Sequence, residues 1–268
     1  MSELSGKVAL VTGGGGVLCS TLAVALARNG VSTVVLDLSE ERAQATLAAV
    51  QQAGGDGLAL KANVLIRADL EQAATQALSR FGRVDFLING AGGNHPKATT
   101  SPEQPFFALA EDGVRFVFEL NFIGTFLASQ VLGKVMAQQG EGTILNIVSM
   151  NALRPLTRIP AYSAAKAAVA NLTQWLAVHM AQEYSPRIRV VGIAPGFFLT
   201  EQNRFLLTDE NGRLTPRGEQ IIAHTPMARF GEPEDLVGTV LWLLSPGAAF
   251  VTGVVVPIDG GFAAYSGV

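Results

Sequence analysis

The chain has 268 residues, of which 49% are hydrophobic and 15% are charged, so it is long and apolar enough for one large α/β domain or two small ones. The net charge of −3, without a basic run, argues against nucleic-acid binding, and the single cysteine, Cys19, excludes an internal disulfide and favours a reducing compartment. The N-terminal "MSELSGK" has no apolar signal core, and no apolar run of about 18 residues indicates a membrane span. We therefore expect a cytoplasmic protein without a nucleic-acid or membrane partner.

Apolar, β-branched runs alternate along the chain with alanine-rich stretches of helical character. The predicted strands are "KVALVT" (7–12), "STVVLDL" (32–38), "GLALKANV" (57–64), "VDFLING" (84–90), "GTILNIVS" (142–149), "IRVVGIAPG" (188–196) and "GVVVPIDGG" (253–261). Helices are predicted over 20–29, ending before Gly30, and from about 39 to 53. Continuous apolar strands separated by helices are typical of a parallel sheet covered on both faces. The sequence thus predicts an α/β, Rossmann-like doubly wound fold: a seven-stranded parallel sheet with helices on both faces, in a single domain over residues 1–268.

Two segments are longer than ordinary connections, one over about 91–113 and one over about 197–227. Each follows the carboxyl end of a predicted strand. Ligands of doubly wound sheets bind outside those ends, so we expect both segments to be substrate loops.

A glycine-rich turn, "TGGGG" (12–16), joins the first strand to a helix. Such a turn lets the backbone approach a dinucleotide pyrophosphate, although a tight turn without a ligand has the same appearance. Asp37 ends the second strand about 20 residues further on, where a carboxylate accepts hydrogen bonds from an adenosine ribose and repels a 2′-phosphate. Together the two features favour NAD(H), whereas Asp37 alone would fit an acid at a helix N-terminus equally well.

Tyr162 and Lys166 are four residues apart and so lie on one helical face, where an ammonium favours the phenolate and lowers its pKa. Ser149 ends the fifth strand, thirteen residues earlier, and its hydroxyl could bind a carbonyl oxygen. A lone Tyr-x-x-x-Lys is usually a surface pair. The ordered set of glycine turn, serine, tyrosine and lysine is much more specific.

These features, with "NGAG" (89–92), "NFIG" (121–124), "YSAAK" (162–166) and "PG" (195–196), stand in the order and spacing of the short-chain dehydrogenase/reductase family, which the chain resembles over essentially its whole length. The resemblance implies that Tyr162 is the acid/base, that Ser149 polarises the carbonyl, that Lys166 holds the nicotinamide ribose and lowers the pKa of the tyrosine, and that Asn121 orders a proton relay. It implies cofactor contacts at Gly13, Gly15, Gly16, Val17, Leu18, Asp37, Leu38, Asn63, Val64, Asn89, Ala91, Gly92, Tyr162, Lys166, Pro195, Gly196, Phe198 and Thr200. No metal site is predicted.

Val17 and Cys19 occupy the two later glycine positions of the family's turn. We expect Gly13 to Gly16 to provide the close backbone approach, with Leu18 packed on the sheet and Cys19 as small apolar filling between helix and strand. Val17 could narrow the nicotinamide side of the cleft. Asn63 stands where the family usually has an aspartate facing adenine, and its amide can still donate a hydrogen bond there.

The segments "NGAGGNHPKATT" and "GFFLTEQNRFLL…TPRGEQIIAHTPMARFGEPEDL" resemble bacterial reductases of sugar acids, of the fructuronate/mannonate and gluconate types. The candidate substrate residues are His95, Arg154, Arg158 and Arg204, because a guanidinium can bind a carboxylate with two hydrogen bonds. Each of the three arginines could equally be a solvated surface residue. The alternatives are a dehydrogenase of another polyol or small alcohol, a non-catalytic nucleotide-binding sensor, and an epimerase or dehydratase.

Family resemblance also implies a homotetramer, built through the two long helices after the fourth and fifth strands and through the C-terminal strand. The alanine-rich "AAKAAVANLTQWLAVHM" suits close helix packing. The small molecule that reacts is the remaining partner.

Overall fold

The computed structural model describes residues 3–200 and 204–267 and contains a parallel sheet of seven strands in the order β3-β2-β1-β4-β5-β6-β7. The strands are β1 Val8–Thr12, β2 Ser32–Asp37, β3 Gly57–Lys61, β4 Phe86–Asn89, β5 Gly142–Ile147, β6 Ile188–Pro195 and β7 Val255–Ile258. Each neighbouring pair is parallel. The predicted doubly wound fold is therefore confirmed. Residues 201–203, which fall in one of the motifs quoted above, lie outside the described ranges.

The helices of the described residues are α1 Val17–Arg28, α2 Glu40–Gln52, α3 Arg67–Phe81, α4 Glu111–Phe118, α5 Gly124–Gln139, α6 Pro160–Glu183, α7 Arg204–Leu207, α8 Pro216–Ala223 and α9 Val237–Leu244. The predicted start of α1 at Ser20 is wrong, because the helix begins directly after Gly16. Several predicted strands are too long at their carboxyl ends. Among the residues wrongly assigned to strands there, Gly90, Val148, Ser149 and Gly196 line a cleft.

The core has two apolar layers, one on each face of the sheet. On one face, Leu70 of α3 and Leu132 of α5 are fully buried against the strands. On the other, Leu26 of α1 and Leu243 of α9 are fully buried. Replacing such a leucine by alanine typically costs about 2–5 kcal/mol, so both layers fix the sheet edge on which the site is built.

The two long connections are not structureless. The segment after β4 contains short 3₁₀ turns at Pro96–Ala98 and Phe106–Ala108, and α4 begins at Glu111, two residues before the predicted loop end. The segment after β6 contains α7 and α8. Both connections leave the carboxyl edge of the sheet, as predicted.

The helix α4 continues into α5 through a π-helical turn, Glu119–Ile123. The combined helix, Glu111–Gln139, is long and apolar enough by length and composition to cross a membrane, but half of its most apolar stretch is buried. Leu132 and Met136 pack in the core beside α3. This is the packing of a core helix. π-helical turns inside α-helices often mark functional sites, and Asn121 lies in this one.

Candidate active site

A cleft of about 350 Å³ lies at the carboxyl ends of the central strands. Predicted residues that line it are Gly13, Gly16, Val17, Leu18, Gly92, Ser149, Tyr162, Lys166, Pro195, Gly196, Phe198 and Thr200. Cys19, Gly90, Gly93, Ile147, Val148 and Phe197 line it as well, although none of them is a predicted contact. The remaining predicted residues are not part of this lining: Gly15, Asp37, Leu38, Asn63, Val64, Asn89, Ala91, Asn121, His95, Arg154, Arg158 and Arg204.

The glycine turn fits a ligand whose phosphates need close backbone approach. Gly13 has a φ of +61°, and a Cβ there would lie 2.8 Å from the backbone of Ala91. A Cβ at Gly14 would lie 2.6 Å from the side chain of Val35. Gly16 caps α1 and has no side chain to occupy the helix N-terminus. Free N–H groups at such a terminus favour an anion, so this cradle suits a pyrophosphate.

Cys19 fills the contact between α1 and the end of β4. It is 4% exposed, and a Cβ added to Gly90 would lie only 2.1 Å from its Sγ. Burial raises the pKa of the thiol to about 12. Leu18 packs against the core layer beneath α1, and Val17 borders the cleft. The predicted packing of Leu18 and Cys19 agrees with this arrangement.

Asp37 is held at the end of β2 by three hydrogen bonds. The N–H of Gly15 donates to its Oδ2 at 3.1 Å, and the N–H of Ser39 donates to Oδ1 at 2.9 Å. The guanidinium of Arg42, in the first turn of α2, donates to Oδ1 at 2.9 Å. Arg42 was not predicted, since it is five residues from Asp37 and reaches it only because α2 turns back over the glycine turn. Leu38 is exposed beside the carboxylate.

Asn63 lies beyond β3, where its Oδ1 accepts from the N–H of Leu65 at 3.0 Å and its own N–H donates to Asp69 at 2.8 Å. Its side-chain NH₂ has no partner among the described residues, so it can donate to a ligand. Val64 is buried against Gly124 of α5.

Asn89 braces the sheet. Its Nδ2 donates to Asn146 of β5 at 2.9 Å and to Ser129 of α5 at 3.1 Å. Asn146 in turn donates to Thr173 of α6 at 2.9 Å. Beside this chain of bonds, the N–H of Ala91 donates to Thr12 at 3.3 Å, which holds the turn after β4 against β1.

Ser149 lies just past the end of β5 and is 7% exposed. Its Oγ accepts from the N–H and from the Nδ2 of Asn151, both at 3.2 Å. The Oδ1 of Asn151 accepts from Ser163 of α6 at 3.1 Å. Asn151 therefore links the serine to the helix that carries Tyr162. The sequence offered one signal for it, an asparagine two residues after the strand end, where side chains often bond the local backbone.

Tyr162 and Lys166 face the cleft from the first turns of α6, which begins at Pro160. Burial raises the pKa of Tyr162, and a hydrogen bond with Ser149 lowers it in part. Burial lowers the pKa of Lys166 to about 8. Its Nζ donates to the carbonyl of Ile147 at 2.8 Å and lies 5.7 Å from the centre of the tyrosine ring. Burial thus acts on the tyrosine pKa in the opposite direction to the expected effect of Lys166, and the lowering by Lys166 stays a prediction.

Asn121 is completely buried in the π-helical turn. Its Nδ2 donates to the carbonyl of Gly93 at 2.7 Å, and its Oδ1 accepts from the N–H of Gly93 at 3.2 Å. A Cβ at Gly92 would lie 2.7 Å from this Oδ1 and 3.2 Å from the Nζ of Lys166. The structure thus brings Asn121 close to Lys166 across a bare backbone segment.

The end of β6 forms the opposite wall of the cleft. Gly196 donates to the carbonyl of Ile258 at 2.9 Å, and a Cβ there would lie 2.7 Å from Asp259. Phe198 is 5% exposed and pairs with Gly231 through a short parallel bridge. These contacts hold Pro195 and Thr200 at the cleft.

His95 lies on the long segment after β4 and Arg204 on the one after β6, whereas Arg154 and Arg158 lie between β5 and α6. None of the four lines the cleft, and Arg158 borders a separate cavity. The Nδ1 of His95 accepts from the N–H of Lys97 at 3.1 Å, and its ring contacts Phe116 edge-on, with centroids 5.2 Å apart. Arg154 and Arg204 are exposed. Arg158 has a φ of +72°, and its carbonyl accepts from the N–H of Thr100 at 2.8 Å.

Arg217, at the start of α8, is a residue that the sequence reasoning missed. Burial lowers its pKa, and the neighbouring charge of Arg158 lowers it further. No ion pair joins either arginine to an acid within the described ranges. Nothing in a single sequence indicates that residues 59 positions apart meet. No cluster of His, Cys, Asp and Glu in the described part of the chain could hold a metal ion.

The chain belongs to the short-chain dehydrogenase family, whose model matches residues 7–211. It is 51% identical to an uncharacterized oxidoreductase, UxuB, of Bacillus subtilis (strain 168), over 99% of this chain and 98% of that protein. A Haemophilus influenzae protein named provisionally as a D-mannonate oxidoreductase, with bound NAD, is 47% identical and superposes with a TM-score of 0.94 over 100% of this chain and 98% of that one. The predicted family, fold and nicotinamide cofactor are confirmed at the level of the family and this relative.

A third relative acts on a different kind of alcohol. The 7alpha-hydroxysteroid dehydrogenase of Escherichia coli (strain K12) is 33% identical over 97% of this chain and 95% of that protein. Family membership therefore establishes an oxidoreductase but not its substrate.

Proposed function

We propose that the chain catalyses reversible hydride transfer between NAD(H) and the carbonyl/secondary alcohol pair of a small sugar acid, with fructuronate/mannonate first and gluconate-type acids second. The observation that carries the reaction is the meeting of Ser149, Tyr162 and Lys166 at one end of a cleft whose other end is a bare glycine turn.

The residues that would hold the cofactor follow from this geometry. The backbone of Gly13 to Val17 would hold the pyrophosphate, and the carboxylate of Asp37 would accept hydrogen bonds from the adenosine ribose. The free side-chain amide of Asn63 would donate to the adenine. Lys166 fits the nicotinamide ribose, and Gly196 and Thr200 border the nicotinamide end. When bound, the nicotinamide supplies or accepts the hydride.

The chain's own residues manage the proton. Because burial keeps Tyr162 protonated at neutral pH, its hydroxyl can donate to the carbonyl oxygen as reduction proceeds. Ser149, oriented by Asn151, can donate a second hydrogen bond to the same oxygen. Lys166, whose Nζ lies 5.7 Å from the centre of the tyrosine ring, is the titratable group from which a proton can return to Tyr162, and Asn121 holds the backbone of Gly93 in place beside it.

Two arginines support an acidic substrate. Arg158 and Arg217 lie close enough to perturb each other, with no carboxylate paired to either among residues 3–200 and 204–267. A left-handed backbone at a non-glycine residue, as at Arg158, costs about 1–3 kcal/mol and is typical of functional sites. A substrate carboxylate would relieve the repulsion between the two guanidinium groups. The segments 91–113 and 197–227 are accordingly proposed as the substrate loops of a single domain over residues 1–268.

The test is a panel of carbonyls with NADH, followed by the loss of NADH absorbance: D-fructuronate, 5-keto-D-gluconate, neutral D-fructose and a 7-oxo bile acid. We expect the highest kcat/KM with a sugar acid. Preference for the neutral ketose or for the steroid would refute the substrate assignment. Binding of NADH without turnover of any carbonyl would favour the nucleotide-binding sensor.

We also propose a homotetramer in the cytoplasm. The outer faces of α5 and α6 enclose a groove of about 750 Å³, beside which Trp175 and Val178 are 57% and 58% exposed. Exposed aromatic and aliphatic side chains on adjoining helices suit a subunit interface. Light scattering should give four times the monomer mass, and Val178→Arg, but not Val178→Ala, should lower it. A monomeric parent protein would refute the assembly.

A further inference from the structure

The pair formed by Asp37 and Arg42 has a consequence for cofactor choice that Asp37 alone does not have. We propose that Arg42 is a specificity-determining residue: it offsets the carboxylate that excludes a 2′-phosphate, and it supplies the cation that would bind one if Asp37 were removed. The inference rests on the proposed NAD(H) site and deepens it.

Arg42 lies directly against the glycine turn. A Cβ at Gly15 would lie 2.5 Å from the Cβ of Arg42 and 3.0 Å from the Oδ2 of Asp37. The absence of a side chain at Gly15 therefore lets the arginine and the aspartate stand together beside the phosphate cradle. No other arginine makes an ion pair with Asp37 in the described part of the chain.

The position of Arg42 carries an electrostatic cost. Arg42 lies in the first turn of α2, after the capping hydroxyl of Ser39, which accepts its N–H at 3.3 Å. A cation near the N-terminus of a helix is destabilised by the helix dipole. The pairing with Asp37 compensates for that cost, so the two charges stabilise each other and neither acts alone.

Asp37 has few acceptor sites left for a ribose. A carboxylate has about four lone-pair sites, and Asp37 already uses three, two for backbone N–H groups and one for Arg42. The backbone donors are fixed by the fold, whereas the side chain of Arg42 is 52% exposed. Of the three donors, only Arg42 can easily give up its hydrogen bond to Asp37. A ribose whose two hydroxyls both donate to Asp37 therefore competes with Arg42 for the carboxylate.

The direction in which Arg42 changes the selectivity between NAD(H) and NADP(H) follows from these contacts. With Arg42 present, a 2′-phosphate would lie next to the Asp37 carboxylate, whose negative charge is offset by the Arg42 guanidinium. Without Arg42, the 2′-phosphate would face the buried carboxylate of Asp37 with no cation beside it, so the electrostatic repulsion should be stronger. The arginine should therefore make the site less selective for NAD(H) than Asp37 alone would.

The experiment measures dissociation constants of NADH and NADPH for the full chain, without substrate, by the fluorescence change of the reduced nicotinamide. The variants are Arg42→Met, Asp37→Asn and the double variant. Arg80→Met is the matched control. Arg80 lies on α3, is 55% exposed and makes an ion pair with Asp56 at 3.0 Å, close to the 2.9 Å between Arg42 and Asp37. Thermal unfolding of each variant reports whether it folds.

Arg42→Met should raise the ratio of the NADPH to the NADH dissociation constant by roughly tenfold, the effect of one charged hydrogen bond. Asp37→Asn should lower that ratio by a similar factor, and adding Arg42→Met to it should weaken NADPH binding again. Arg80→Met should leave the ratio unchanged.

The inference is overturned if Arg42→Met changes the ratio by less than twofold in both backgrounds. Should Asp37→Asn not fold, the comparison of wild type, Arg42→Met and Arg42→Lys decides alone, with Lys expected to restore the wild-type ratio. A wild-type protein that binds neither nucleotide overturns the proposed function itself, whereas normal NADH binding with an unmoved ratio overturns only the role of Arg42.

Discussion

The two ends of the cleft hold their polar groups in different ways. At the catalytic end, Ser149 is tied to Asn151, and Asn151 to Ser163, by neutral hydrogen bonds among buried side chains. At the adenosine end, Asp37 is tied to a half-exposed guanidinium. Neutral buried bonds are insensitive to salt, whereas an exposed ion pair is screened and exchanges partners easily. One end is thus built for fixed geometry and the other for adjustable selectivity.

The sharpest way to break the comparison is to remove the proton donor at the fixed end. Tyr162→Phe should lower kcat for carbonyl reduction by about 10²–10⁴-fold, since general acid–base groups contribute that much. NADH affinity should stay within about twofold, because no bond from the hydroxyl to the glycine turn is lost. Stopped-flow single turnover separates the two quantities.

Tyr184→Phe is the matched control, because that tyrosine lies at the far end of the same helix and is 56% exposed. Near-normal turnover by Tyr162→Phe on the best substrate would contradict the assigned mechanism.

The arginine pair tests the substrate side of the catalytic end. Arg217→Ala or Arg158→Ala should raise KM for the sugar acid by about 10–150-fold, equivalent to roughly 1.5–3 kcal/mol for a charged hydrogen bond. The KM of a neutral ketose should be unaffected. Arg213→Ala, which removes an exposed arginine from the same segment, serves as the control. Equal effects on acid and ketose would show that the pair does not bind a carboxylate.

Asn151→Ala should distinguish a positioning residue from a structural one. The variant loses the bonds that orient Ser149 and anchor Ser163, each worth about 1 kcal/mol, so kcat should fall roughly tenfold while KM for NADH is unchanged. Asn94→Ala removes an exposed asparagine and should leave both kcat and the KM for NADH unchanged. A rise in KM without a fall in kcat would assign Asn151 to substrate binding instead.

The smallest effect is expected at Cys19. Because burial raises its pKa to about 12, the reactive thiolate forms only at a pH well above that of a free thiol, and alkylation of the folded chain should be slow at pH 8. Cys19→Gly should change NADH affinity less than threefold, about half a kcal/mol. Rapid alkylation that NADH prevents would show that the thiol, although only 4% exposed, is accessible from the cleft that Cys19 lines.

The fold and the reacting residues were accessible from the sequence because both depend on local or regular signals. Apolar runs separated by helical stretches specify a parallel sheet, and the carboxyl ends of its strands place Ser149 and the glycine turn at one edge. The four-residue spacing of Tyr162 and Lys166 specifies a shared helical face.

Arg42 and Arg217 could not be predicted, since each acts on a partner through tertiary packing. Asn151 carries a weak local signal, and its link to Ser163 appears only once α6 is placed. The effect of burial on the tyrosine pKa could not be predicted for the same reason, since residue spacing reports the nearby ammonium but not how completely the fold excludes water.

The contact between Cys19 and Gly90 has an evolutionary consequence. Because Sγ occupies the space in which a Cβ at position 90 would lie, the two positions share one small volume between an α1 residue and the turn after β4. A descendant that acquires any side chain at position 90 must first lose the Sγ at position 19, for which alanine suffices because the Cβ of residue 19 would lie 3.6 Å away, and must also let the carbonyl of Thr12, 2.8 Å from the same point, move aside. Cys19 of the altered glycine motif and Gly90 therefore constrain each other sterically, and we expect the two positions to vary together among relatives.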